Sequence, residues 1–67
     1  MVLNENQRSF LRLVNRSLKG EEWAKVSDTL WRFAQEKQAE MPELVAIDKE
    51  GMRVKLTEKG QTVLAYM

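Results

Sequence analysis

The sequence predicts a small α+β domain of order α-α-β-β-α, with a β-hairpin at about residues 44–56. Three observations carry that class. Apolar residues recur at helical spacing over the first 18 positions, whereas over residues 52–56 they alternate with basic ones at period two. The chain has 67 residues, and a chain that short buries only about 60% of the surface its unfolded form exposes. One thin core and one domain, residues 1–67, follow.

The first helix is expected from Asn4 to about Leu18. Asn4 suits the N-cap, and Gln7 three residues later completes a capping box. Leu3, Phe10, Leu11, Val14 and Leu18 form its inward stripe, and Lys19-Gly20 reads as its stop.

The second helix is expected from about Glu21 to Glu40. Trp23, Val26, Leu30, Phe33, Ala34 and Met41 keep one phase along it, and Glu21 and Glu22 suit the positive end of a helix dipole. Ser27 or Asp28 could equally cap a new helix, but the unbroken stripe favours a single one. Pro42 ends it by biasing Met41 away from helical angles.

The hairpin follows. Leu44-Val45-Ala46-Ile47 is apolar and β-branched, and Asp48-Lys49-Glu50-Gly51 carries Asp where a type I turn starts and Gly where a left-handed residue closes it. That register pairs Asp48 with Met52 and puts Leu44, Ala46, Met52, Val54 and Leu56 on one face, leaving Val45 and Ile47 beside Arg53 and Lys55. A slip of one residue reverses the faces. Thr57 then caps a last helix through about Tyr66, with Leu56, Gly60, Val63, Leu64 and Met67 inward and Gly60 permitting close packing on the hairpin.

Composition removes most chemistry. There is no Cys and no His, hence no disulfide, no thiolate nucleophile, and neither the commonest metal ligand nor the commonest general base. Glu21 and Glu22 are adjacent and diverge by about 100° on a helix, so they cannot face one substrate. No Gly-rich phosphate loop occurs. The expectation is a non-enzyme without cofactor or metal. Polar residues 4–8 stand where a signal peptide would need an apolar stretch, and no window approaches a membrane span, so a cytoplasmic location is expected.

Residues 43–64 run from Glu43-Leu44-Val45-Ala46-Ile47 through the Asp48-to-Gly51 turn to Met52-Arg53-Val54-Lys55-Leu56-Thr57-Glu58-Lys59-Gly60 and on to Val63-Leu64. This stretch resembles the wing and following helix of winged-helix transcription regulators. In that family a Gly-Leu-Val strand, a basic hairpin and a Leu-Thr-Glu-Lys-Gly helix start recur in this order. Leu56-Thr57-Glu58-Lys59-Gly60 matches the last motif residue for residue. The resemblance implies a DNA-binding regulator with a recognition helix in the major groove and the wing on the backbone or minor groove.

The charge of +1 hides an uneven distribution: four basic and one acidic residue in 1–19, four and eight in 20–50, three and one in 51–67. The segment that should read bases is therefore the acidic one, opposed by phosphates. Candidate contacts to double-stranded DNA are Arg8, Arg12 and Arg16 on the first helix, Lys25 and Arg32 in the middle, and Arg53 and Lys55 on the hairpin. An arginine row is also what a solvated helix face carries, and basic residues blunt a sheet edge without any ligand. Trp31, Leu13, Val45 and Ile47 are apolar groups surplus to one buried face, so a protein partner or a second copy is the alternative. Whether the first-helix arginines share a face with Arg53 and Lys55 discriminates the two: a common face suits nucleic acid, separate patches suit a protein-interaction module.

Overall fold

The computed structural model describes residues 2–67, in the order α1 (Glu5–Leu18), β1 (Ala24–Lys25), α2 (Asp28–Glu40), β2 (Val45–Asp48), β3 (Arg53–Leu56) and α3 (Glu58–Ala65). The α-α-β-β-α order holds, with one short strand added between the first two helices. The three strands form one antiparallel sheet, β1-β3-β2.

Each helix begins where its cap dictates. The Asn4 side chain accepts from the Gln7 amide at 2.8 Å while Gln7 Oε1 accepts from the Asn4 amide at 2.9 Å, so two donors at the start of α1 are satisfied reciprocally. Thr57 Oγ1 accepts from the Gly60 amide at 3.1 Å and starts α3. The α1 stop is built from Lys19, in the left-handed region at φ 49°, followed by Gly20 at φ 83°.

The expected helix over residues 21–40 is corrected: helix exists only from Asp28, and Ser27 is its N-cap, accepting from the Leu30 amide at 3.4 Å. Upstream, Ala24 pairs with Val54 and Lys25 with Arg53. The stripe of Trp23 and Val26 imitated a helix because a strand so short has no periodicity of its own. The physical reason for the strand is the hairpin beside it, since two strands alone are marginal and a third covers the free edge of β3.

The hairpin register is also corrected. Val45 pairs with Leu56, Ala46 with Lys55, Ile47 with Val54 and Asp48 with Arg53. Val45, Ile47, Val54 and Leu56 therefore share the inward face, and Ala46, Asp48, Arg53 and Lys55 the outward one. The slip arises because Met52 lies in the loop rather than in the strand, and Met52, not Gly51, takes the left-handed conformation at φ 49°. A Cβ at Gly51 would press on the Arg53 and Asp48 side chains, which are flexible enough to shift aside.

The core lies between the sheet and α1. Phe10, Leu11 and Val14 meet Ala24, Val45, Val54 and Leu56, with Ala34, Met41 and Leu44 closing it from α2 and the turn after it. Phe10 and Phe33 pack edge to face at 5.4 Å, joining α1 to α2. Met67, expected inward, is 41% exposed because α3 ends at Ala65.

Candidate functional site

On β3 the buried Val54 and Leu56 alternate with Arg53 and Lys55, so the two cations stand on the sheet face turned away from α1. Extending the Ala24–Val54 pairing by one residue sets Trp23 across from Lys55 on that same face. There the Lys55 Nζ lies 4.6 Å and the Arg53 guanidinium 5.1 Å from the indole ring. Each cation also has a carboxylate. Arg53 donates to Asp48 through Nε at 3.0 Å and Nη2 at 2.5 Å, and Lys55 donates to Glu22 at 3.0 Å. Hydrogen bonding from Arg53 first, with the backbone amides of Gly51 and Glu50 adding, holds the Asp48 carboxyl below its ordinary 3.8. The hairpin cations are thus neutralised and stacked within the molecule. Lys25 is exposed at the margin of this face, bordering a shallow hollow with Leu18, Lys19 and Trp23.

Trp23 is the residue that sequence reasoning missed, having assigned it to a helix core. The available signal was the Trp23-Ala24-Lys25 alternation around a small buried residue.

The arginine row on α1 divides. Arg8 donates to the Leu3 carbonyl at 2.6 Å and to Glu5 at 2.8 Å, which ties it to the helix start. That hydrogen bond, with the charge of Arg8 behind it, lowers the Glu5 carboxyl from its ordinary 4.5. Arg12 reaches only the far oxygen of the same Glu5, at 3.9 Å. Arg16 has no acidic partner within 4.0 Å among the described residues. Arg12 and Arg16 line a groove of about 450 Å³ with Ser9, Asn15 and, from α3, Leu64. Both are exposed, on the side of α1 opposite Phe10, Leu11 and Val14.

The two basic sets therefore lie on opposite outer surfaces. One backs onto the core through α1 and the other through β3.

On α2, Arg32 is exposed beside Asp28 and Thr29, in an otherwise acidic row continued by Glu36 and Glu40. Lys37 is 7% exposed, bonded to Glu40 at 3.1 Å and 5.2 Å from the Phe33 ring centre. Glu40 also accepts from Gln7 Nε2 at 3.1 Å, and this bond, then that from Lys37, lowers its carboxyl below 4.5. Lys37 thus belongs to the α1–α2 contact and not to any outer surface.

The candidate interface residues separate likewise. Val45 is 1% exposed inside the core, and the register that freed Val45 and Ile47 does not occur; Ile47 and Trp31 pack half-buried against the core, each with part of its surface exposed. Leu13 is half-buried and lies outside the core cluster.

Between β1 and β2 stands α2 alone, whereas a helix-turn-helix needs two helices joined by a turn. Compared with protein-family models, curated proteins and solved structures, the chain matches none. Among the described residues no group of three or more Asp or Glu side chains is placed to hold a metal ion, and no helix is long and apolar enough to cross a membrane. Stacked cations, an arginine-lined groove and an acidic helix can bind charged surfaces.

Proposed function

We propose that this chain is a protein-interaction module on a small α+β scaffold whose hairpin and last helix resemble those of a winged helix, an accessory domain that docks on a larger partner. One observation carries the reading: the hairpin cations and the α1 arginines face opposite ways, and the hairpin pair is already satisfied by Trp23, Asp48 and Glu22. A duplex engaged by the hairpin would compete with the Asp48 and Glu22 carboxylates for the same cations and would leave Arg12 and Arg16 in solvent. The acidic exposed row of α2 argues the same way, since phosphate charge dominates duplex affinity.

Double-stranded DNA binding by a transcription regulator is the second reading. The open pair Arg12 and Arg16 favours it, with Lys19, which has no acidic partner within 4.0 Å among the described residues, just past the end of the same helix.

Fluorescence anisotropy of a labelled mixed-sequence duplex at about 50 mM salt separates the two, because non-specific duplex binding falls at about 10⁻⁴–10⁻⁶ M even at physiological salt. The module reading expects no rise at tens of micromolar protein. A salt-sensitive rise that weakens in Arg12→Ala or in Arg53→Ala overturns it.

A further inference from the structure

The groove between α1 and α3 has a composition that specifies its occupant. Arg12 and Arg16 stand one helical turn apart, which sets their Cβ atoms about 6 Å from each other. No acid is paired with Arg16 among the described residues, and the single acid near Arg12 is already held by Arg8 at 2.8 Å. The exposed 3.9 Å contact is worth little. Leu64 supplies a half-buried apolar surface beside the two guanidiniums, and Ser9 and Asn15 supply polar groups at the margin.

Two cations at helical spacing over an apolar residue complement two carboxylates at the same spacing around an apolar side chain. A phosphate backbone gains less here, because Arg8 is committed to Glu5 and the Leu3 carbonyl, and because Leu64 offers nothing to an anion.

We propose that the groove lined by Ser9, Arg12, Asn15, Arg16 and Leu64 docks an acidic amphipathic helix of a partner protein, with carboxylates one turn apart on Arg12 and Arg16 and an apolar side chain on Leu64. The proposal rests on the interaction-module reading and names the partner's chemistry. Both arginines are exposed, so their removal leaves the core intact.

The test is a ¹⁵N–¹H NMR titration of the full chain with a synthetic capped helical peptide carrying two Glu one turn apart around a Leu. Parallel titrations use the same peptide with both Glu replaced by Gln, and a short DNA duplex. The expected result is shifts at residues 9, 12, 15, 16 and 64, weakened about tenfold by the Arg12→Ala/Arg16→Ala double variant and unchanged by Lys55→Ala. The Gln peptide should bind about tenfold more weakly as well. No shifts, shifts mapping elsewhere, or equal binding by the Gln peptide or the double variant overturns the groove assignment and leaves the module reading standing. Duplex binding through the same arginines, tighter than the peptide, overturns both.

Discussion

The Arg53 guanidinium lies 5.1 Å from the Trp23 ring centre while donating two hydrogen bonds to Asp48, so one side chain joins β1, β3 and the end of β2 on the outer sheet face. Strand β1 has only two residues and little ladder of its own. What keeps it on the sheet is Ala24 inside and the stacked Trp23 outside.

Trp23→Ala is therefore expected to destabilise the domain by about 2 kcal/mol, from lost apolar burial and two cation–π contacts of about 0.5–1 kcal/mol each. Urea unfolding measures it. Trp23→Phe should recover part of the loss, and a variant as stable as the parent would show that β1 is held by something else.

Gly60 packs its Cα against the Leu44 carbonyl, which also accepts from the Thr57 amide at 2.9 Å. A methyl at position 60 would overlap that backbone oxygen, and backbone cannot swing aside as a flexible side chain does. Gly60→Ala should cost about 3 kcal/mol by displacing α3, against the modest gain Ala gives in an ordinary helix. An unchanged melting temperature would contradict this packing.

Lys19 sits at φ 49° and is exposed. Left-handed angles cost a residue with a Cβ about 1–2 kcal/mol, partly offset by the larger backbone entropy that Gly loses on folding. Lys19→Gly is expected to stabilise by about 0.5–1 kcal/mol in chemical denaturation. Met52→Gly relieves the same angle but removes a half-buried side chain, so its gain is smaller.

Glu5, Glu40 and Asp48 all have folded-state pKa values below their ordinary values of 4.5, 4.5 and 3.8. A lowered carboxylate contributes stability that is fully present above the unfolded pKa and lost as pH falls through the folded one. With no His in the chain, stability should be level from about pH 6 to 8 and fall below about pH 4.5. Urea midpoints at each pH check this, and Asp48→Asn should flatten the acid limb. A maximum near pH 4 would contradict the assignment.

Much of this was legible from local chemistry. Asn4 with Gln7, Thr57, Pro42 and the 52–56 alternation each act within a few residues, and each boundary they imply is found within one or two positions. Strand β1 was not legible because its cause is remote: it forms only when β3 is beside it. The hairpin register failed for a related reason, since Met52 accepts an unfavourable angle so that Val45 and Ile47 can be inside. At the surface, the outward pose of Arg53 and Lys55 was readable from alternation. Their stacking on Trp23, 30 or more residues earlier in the chain, and their placement opposite Arg12 and Arg16 depend on tertiary packing alone.

Arg53 and Lys55 are engaged within the molecule by Trp23, Asp48 and Glu22, and the interaction-module proposal holds that they stay so in the presence of a duplex. Proton NMR of the Arg53 and Lys55 side-chain methylenes measures this directly, because stacking on the Trp23 ring shifts them upfield. Upfield positions are expected, lost in Trp23→Ala and unmoved by excess DNA duplex at low salt. Upfield shifts that collapse toward random-coil values as duplex is added would contradict it.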